Sequence, residues 1–487
     1  MALAYPVTNW IGQRAVENFV ASLPAHGVPT DYAGFFTPDD DPAADVFRHP
    51  AMIAERENRL LTSIPNIQPP IPGLSKSQPN PDLAFAKPTN TAQCFTPPAA
   101  NEKEGALRLL DVLRPRSERL AAVRDALARP HACWYVDQLE DAVPGVGVEL
   151  LPSIYPSQSL LRTISMFASM EARAHLVLGD SPAAAADVTA ILDSARHLSE
   201  SRPTLVTTFA VDTVLRQARN TIYDGVLRSA WTDTQLAGFE AKLAKLDPHA
   251  AQVRAFAPTV AFDVMVLEKM AAGEPKPQGV HWREGWKPEW QVVQQRLRAI
   301  WREARPRGVG LLREVEGQRT ILDHGPVSGG QPRTRFELED LREFERKYHA
   351  EPVALFAEDK MTHEQRDADA DGWNKLAAYA RTALTNEAAI SLLRGAIALE
   401  RYRLQHGSHP AGLQDLVPAF LPAVPVDPFA ARSLGYERMA DGSPRLWSFG
   451  ENLTDEGGLP NSNREKGDWV WITKPIPGFK RDDYIKQ

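Results

Sequence analysis

Residues 386–407, NEAAISLLRGAIALERYRLQHG, decide the fold of the C-terminal part of this chain. Apolar residues recur along them at the spacing that places them on one face of a helix. Gly407 follows, at a position where a left-handed residue commonly ends a helix. The pattern predicts a helix over 373–406 whose apolar stripe consists of Ala389, Leu392, Leu393, Ala396, Leu399 and Leu404.

Three short segments after this helix alternate apolar and polar residues, as strands do. They are LGYE at 434–437, RLWS at 445–448 and WVWI at 469–472. The dipeptide Asp441-Gly442 supplies a turn between the first two. We therefore expect the long helix to pack across a small antiparallel sheet.

The order of motifs along 386–472 resembles the C-terminal, periplasmic half of the major pseudopilin of bacterial type II secretion systems. The matching motifs are, in chain order, Glu400-Arg401-Tyr402-Arg403, Gly407, His409-Pro410, Leu421-Pro422, Asp427-Pro428-Phe429, Ser448-Phe449-Gly450 and Asp468-Trp469-Val470-Trp471. The resemblance implies a pseudopilin-like α+β domain and an assembly or binding role in the cell envelope. It covers only the C-terminal part of the chain, and a fold by itself does not fix a function.

In pseudopilins the loop after the serine-containing strand binds calcium. The matching loop here offers Asn452, Asp455 and Asp468 as ligands, with Glu456 beside them. Oxygen ligands from a tight acidic loop suit calcium, so the resemblance implies calcium as a cofactor. The segment Glu451-Asn452-Leu453-Thr454 departs from the family's loop, and an acidic turn without metal is the alternative.

The chain departs from a pseudopilin at the other end as well. Pseudopilins begin with an apolar helix that is buried in the filament core, whereas a large polar region stands here. We therefore do not expect an ordinary filament subunit. Through the segments GVPTDYAGFFTPDDDPAADVF at 27–47 and WTDTQLAGFEAKLAKLD at 231–247, the chain as a whole resembles large uncharacterised envelope proteins of planctomycete- and verrucomicrobia-type bacteria, which combine a helical body with such a tail.

The helical body contains one recognisable hairpin. Segments 159–178 and 182–199 meet at Gly179-Asp180-Ser181-Pro182, which is typical of one helix ending and the next beginning. Five residues occupy the relative places that a tetratricopeptide (TPR) hairpin uses for close packing: Ala172, Leu176, Gly179, Ala186 and Ala195. No second copy follows at a period of about 34 residues, so the pattern predicts a single TPR-like hairpin.

These patterns predict a mainly α protein, a helical body with the TPR-like hairpin, plus the small α+β C-terminal domain. The expected divisions are an N-terminal helical and polar segment at 1–62, a proline-rich wrap or linker at 63–100, the helical body at 101–272, an irregular Trp-, Pro- and Gly-rich insert at 273–336, a helical connector at 337–372 and the pseudopilin-like domain at 373–487. Within the insert, one charged helix is expected at 290–303.

Charge and composition narrow the possible partners. The net charge of -7, with both signs scattered, argues against a nucleic-acid surface. No run of about 18 apolar residues occurs, and the first residues lack the pattern of a signal peptide. We expect protein partners, and contact with a membrane only through an anchor outside this sequence. The expected location is the cell envelope or periplasm, with the cytoplasm as the alternative if no export signal precedes the chain.

Motifs for catalysis are missing from the sequence. His363-Glu364 lacks the second histidine of a zinc-protease helix, and no nucleophile elbow, phosphate loop or dinucleotide fingerprint occurs. We therefore predict no catalytic or cofactor-binding residues and a protein that is not an enzyme. Cys94 and Cys133 could pair or stay free, so they do not fix the redox compartment.

Two further patterns have a structural and a functional interpretation. Asp367-Ala-Asp369-Ala-Asp371-Gly372 matches the first half of an EF-hand loop, but Ala378 stands where the closing carboxylate belongs. A cap by Asp371 on a helix that starts at Trp373 is the favoured interpretation. Trp282, Trp286 and Trp290 recur every four residues, as an aromatic ligand platform or a membrane-interface patch could require. Gly285 and Pro288 argue against a regular helix there, so a tryptophan-anchored loop packed on the body is the favoured interpretation.

Three functional hypotheses follow. The leading one is an accessory binding protein of the cell envelope, associated through its C-terminal domain with a type II secretion or pilus-like assembly. The second is a stand-alone helical scaffold for protein interactions. The third is an enzyme whose site, between the body and the tail, is built from residues that no motif reveals.

Overall fold

The computed structural model describes residues 4–26, 28, 41, 43–58, 90–94, 98–132, 151–200, 207–272, 307–328, 331–333, 335–349, 367–460, 467–476 and 478. Helices dominate these residues: α1 Ala4–Ser22, α2 Pro50–Asn58, α3 Glu102–Leu127, α4 Leu151–Leu178, α5 Ser181–Glu200, α6 Thr207–Leu227, α7 Asp233–Leu243, α8 Pro248–Ala272, α9 Arg307–His324, α10 Leu338–His349 and α11 Asp367–His406. Within the part of the chain that is described, no helix combines the length and apolar character needed to cross a membrane.

The strands are short and all of them pair antiparallel. They are β1 Val327–Ser328, β2 Gln331–Pro332, β3 Val426–Asp427, β4 Arg432–Ser433, β5 Gly435–Arg438, β6 Pro444–Ser448 and β7 Trp469–Ile472. β1 pairs with β2, β3 pairs with β4, and β5, β6 and β7 form a three-stranded sheet in that order. Tyr436 lies opposite Leu446, which lies opposite Trp471. The predicted fold class, mainly α with a small antiparallel sheet packed on a long helix, is therefore confirmed.

Helices α4 and α5 form the predicted hairpin. Gly179 joins them with a φ of 81°, a conformation that a residue without a Cβ adopts at little cost. Ala172, Leu176 and Ala195 are buried, as the TPR-like spacing predicts. The prediction for Ala186 is wrong, because this residue faces solvent and other side chains of α5 make the contact. Helix α3 packs against the hairpin on one side and α6 on the other.

Helix α11 runs through the middle of the molecule and connects the body to the sheet. Ala396, Ile397 and Ala398 are consecutive and each is at most 2% exposed, so the helix is buried on all sides there. Helices α6, α7, α9 and α10 cover its flanks, and β6 packs on it. A Cβ on Gly395 would lie 3.0 Å from Leu446, which explains how closely helix and sheet approach.

Body and tail share one core. The rings of Tyr223 on α6 and Trp471 on β7 meet edge to face, with their centroids 5.0 Å apart. Arg394 of α11 donates to Glu240 of α7 at 2.8 Å, which adds an ion pair to the same contact. The C-terminal domain therefore packs directly against the helical body.

Several expectations need correction. Leu404 is 39% exposed and does not belong to the apolar stripe of α11. This helix begins at Asp367, so the region of Asp371 is helical and is neither an EF-hand-type loop nor a cap at Trp373. The insert expected to be irregular contains α9, whose residues pack on α1 and α11. Of the other expectations, the tryptophan repeat at 282–290, Cys133, the charged helix expected at 290–303 and most of the proline-rich segment lie outside the described residues.

Candidate functional site

The loop between β6 and β7 holds the residues for which the resemblance implies calcium. Asn452 Nδ2 donates to Glu456 Oε1 at 2.8 Å. Asp455 Oδ1 accepts a hydrogen bond from Trp447 Nε1 at 3.0 Å, and Asp468 Oδ2 accepts one from a backbone N–H at 2.7 Å. Asn452, Asp455 and Asp468 therefore belong to one hydrogen-bonded loop that is fixed to the sheet.

Within this loop, the carboxyl groups of Glu456 and Asp468 lie within hydrogen-bonding reach of each other. Asp468 is 2% exposed, and neither its Oδ1 nor Glu456 Oε2 has a hydrogen-bond partner among the described residues. Burial raises the pKa of Asp468 to about 7; the N–H of Gly458 opposes this rise, and the charges on Glu456 and Asp455 add to it. A buried carboxyl group and a half-buried one this close are stabilised by a shared proton or by a cation.

A second group of ligand-type side chains lies in the helical hairpin. Glu171 and His175 are one turn apart on α4, and Asp187 faces them from α5. One ligand atom from each lies within 4.8 Å of the other two. The side chains of Glu171 and Asp187 are 4% and 0% exposed, whereas that of His175 is 22% exposed. These residues could together hold a metal ion.

Helix α3 brings a positive charge to the same place. Arg124 Nη2 donates to Glu171 Oε2 at 2.9 Å and also to Asp187 Oδ1. Ser117 Oγ donates to the other oxygen of Glu171. Asp187 Oδ2 is buried and accepts no hydrogen bond from the described residues. The single guanidinium therefore leaves Asp187 Oδ2 without a hydrogen-bond partner in the part of the chain that the structure describes.

The electrostatics of the hairpin group agree with this geometry. Burial raises the pKa of Asp187 to about 8, even though the adjacent Arg124 lowers it. The charge of Glu171 adds to the rise. Burial also lowers the pKa of His175, which keeps its imidazole neutral and able to donate a lone pair to a metal. When Glu171 and Asp187 are both ionised, Arg124 balances only one of the two negative charges.

Sequence reasoning included the loop but missed the hairpin group. The spacing Glu171-x-x-x-His175 on a predicted helix was a usable signal, because residues four apart share a helix face. Asp187 and Arg124 gave no such signal, since they lie on other helices and only the packing of α3, α4 and α5 unites them. In the loop, Glu456 is the acid that approaches Asp468, whereas Asp455 is exposed and bonds to Trp447.

A cleft borders the loop on the side of α10. It has a volume of about 560 Å³. Its lining combines basic, acidic and apolar side chains, among them Arg342, Arg346, Glu343, Phe429 and Leu453. Leu453 is 38% exposed at the tip of the acidic loop and has a φ of 57°. The conformation of the loop therefore helps to shape this cleft.

Comparisons with known proteins give no identification. No family model matches the chain, and no curated protein or solved structure matches it either. The similarity to the pseudopilin domain therefore depends on the motifs of 386–472 alone and stays a prediction.

Proposed function

We propose that this protein is a non-enzymatic binding protein of the cell envelope. Its C-terminal domain would hold a calcium ion in the loop between β6 and β7 and dock onto a protein partner, such as a component of a type II secretion or pilus-like assembly. The observation that carries the proposal is the close pair of Glu456 and Asp468, each with a buried oxygen that has no hydrogen-bond partner among the described residues. The pair lies in the loop for which the pseudopilin resemblance implies calcium.

Calcium fits the chemistry of this loop better than a softer metal does. Its side chains offer carboxylate and amide oxygens, from Asn452, Asp455, Glu456 and Asp468, and no imidazole or thiolate. Calcium takes about six to eight oxygens, so backbone carbonyls and water would complete the shell. A divalent ion would also remove the repulsion between Glu456 and Asp468 when both are ionised.

The cleft beside the loop supports the binding role. Leu453 and Phe429 contribute apolar surface to it, and arginines and glutamates in equal number contribute charges of both signs. An ion in the loop would fix the position of Leu453 and hence the shape of the cleft. Calcium would then act on partner binding through the loop, and no chemical step on the partner is needed.

Isothermal titration calorimetry on the full chain tests the calcium part. We expect one calcium ion per chain, with a dissociation constant of about 10⁻³ M or tighter, as for extracellular calcium modules. The double variant Asp455→Ala, Asp468→Ala should lose this binding. Glu437→Ala is the matched control, because Glu437 is an acid of the same sheet, 52% exposed and outside the loop. Absence of any calcium heat in the unmodified chain would overturn this part.

Fractionation of cells that express the gene from its own locus tests the location. Recovery with the envelope or periplasm is expected, and recovery in the cytosol would contradict an envelope role even if calcium binds. The second candidate is the stand-alone helical interaction scaffold, which would use the same cleft beside the loop. It predicts partner binding that is unchanged by calcium.

A further inference from the structure

We propose that Glu171, His175 and Asp187 form a site for a divalent transition-metal ion of the zinc class in the helical hairpin. This site is separate from the acidic loop of the C-terminal domain, and the inference does not depend on the proposed function. It identifies a property of the helical body, for which the sequence motifs predict no ligand.

The hairpin presents the ligands in a fixed arrangement. Glu171 and His175 lie on one face of α4, one turn apart, and the hairpin turn brings Asp187 of α5 opposite them. Their three ligand atoms already lie within 4.8 Å of one another. Ligands at about 2.0 Å from a tetrahedral ion are about 3.3 Å apart, so rotamer changes of no more than about 1.5 Å close the site.

The unsatisfied oxygen of Asp187 points to a missing partner. Its side chain is 0% exposed, and Oδ2 accepts no hydrogen bond from the described residues. Buried carboxylate oxygens are normally paired or bound to a metal, because desolvation of an unpaired one is costly. The adjacent imidazole of His175 offers a nitrogen lone pair, which together with the two carboxylates makes a set of metal ligands.

The donor set selects the class of metal. One imidazole nitrogen with two carboxylates suits zinc and its neighbours in the first transition series, whereas calcium and magnesium prefer oxygen alone. Water would take the fourth position. His175 has its side chain 22% exposed, which gives an ion a route in from solvent between the buried carboxylates and the surface.

Arg124 shows that a cation is favoured at this position. Its guanidinium bonds to both carboxylates, and its side chain is 26% exposed, so it has room to swing outward. We expect the metal to displace it from at least one carboxylate. Arg124 and the metal would then compete for the same oxygens, and removal of Arg124 would strengthen metal binding.

Zinc titration of the chelator-treated full chain, prepared without a histidine tag, is the test. We expect one zinc ion per chain by calorimetry, and cobalt as a substitute should give visible d–d absorption bands. His175→Gln should weaken zinc binding by at least about tenfold, the lower end of what the loss of even an outer partner costs. Asp187→Asn should do the same.

Asp180→Asn is the matched control. Its carboxylate lies 3.8 Å from His175 Nδ1 but is 53% exposed and outside the ligand group. Binding within about threefold of the unmodified chain is expected there, because a surface pair with histidine contributes little. Loss in Asp180→Asn equal to that in His175→Gln would overturn the assignment, since zinc would then bind at the surface.

Arg124→Gln gives a second test that removes no ligand and so does not depend on whether the ligand variants fold. Without metal it should unfold at a lower temperature than the unmodified chain, because two buried carboxylates lose their counter-charge. Zinc should restore the unfolding temperature and bind at least about tenfold more tightly than to the unmodified chain, a gain of about 1.4 kcal/mol. A destabilised Arg124→Gln protein that zinc does not restore would contradict the proposal and leave a plain ion-pair cluster.

Discussion

The replacement of Glu387 by glutamine isolates the cost of one partly buried charge. Glu387 lies on α11, and burial raises the pKa of its carboxyl group to about 7 from the ordinary 4.5. Arg335 nearby lowers this pKa and Asp247 raises it, but neither outweighs burial. At pH 8 the folded protein therefore carries an ionised carboxylate in an unfavourable place.

The size of the effect follows from the pKa. Each factor of ten in the proton equilibrium is worth about 1.4 kcal/mol. The rise in the pKa of Glu387 from 4.5 to about 7 therefore corresponds to a cost of up to about 3 kcal/mol in the free energy of unfolding when the group is ionised. Because the pKa is higher in the folded state, the folded protein binds the proton more tightly than the unfolded chain. This contribution to stability is complete below about pH 4.5 and is lost as the pH rises through 7.

Urea unfolding at pH 5 and at pH 8 measures this directly. Glu387→Gln should raise the free energy of unfolding by about 2–3 kcal/mol at pH 8 and by much less at pH 5, since glutamine mimics the protonated acid. Glu316→Gln is the control, because its carboxylate is 61% exposed. Equal pH dependence in the unmodified chain and in Glu387→Gln would refute the reasoning.

Three further predictions concern the fold. Asp427→Ala should cost about 3–4 kcal/mol in urea unfolding, because the buried Asp427 carboxylate accepts two backbone N–H groups, at 2.8 and 2.6 Å; a loss below about 1 kcal/mol would contradict it. Gly225→Ala should lower the free energy of unfolding, because its Cβ would lie 2.1 Å from the ring of Trp231. Gly238→Ala has open space around its Cβ and should raise the free energy of unfolding by up to about 1 kcal/mol. A change of the same sign in both variants would contradict this prediction. A double-mutant cycle between Tyr223 and Trp471, with leucine at each, should give a coupling of about 0.5–1.5 kcal/mol; additive losses would show that body and tail do not share this contact.

The C-terminal domain was largely predictable because its signals are local. The helix ends where Gly407 adopts a φ of 78°, and its N–H bonds to Arg403 O at 2.8 Å, as the sequence of the cap indicates. The strands predicted at 445–448 and 469–472 lie within one residue of β6 and β7. Turn residues and alternation act over a few positions, so they can be recognised without knowledge of the rest of the fold.

What could not be predicted depends on contacts between distant segments. A one-sided apolar stripe was expected on α11, yet Ile397 and Ala398 are fully buried as well, because α6, α7, α9 and α10 pack along α11 besides the sheet. The group of Glu171, His175 and Asp187 likewise depends on contacts between distant segments. Glu171 and His175 are visible as a pair in the sequence, but only the packing of three helices brings Asp187 and Arg124 to them.

A crystal structure grown in calcium is the most direct test of the proposed function at the level of the site. The proposed function predicts electron density for one calcium ion bound by Glu456 and Asp468 in the loop between β6 and β7. The distances from the ion to its oxygen ligands should be about 2.3–2.6 Å. The same crystals should show Leu453 ordered at the edge of the cleft. An ion-free loop at saturating calcium, with Glu456 and Asp468 joined by a shared proton, would contradict the calcium site and with it the link to the envelope assemblies.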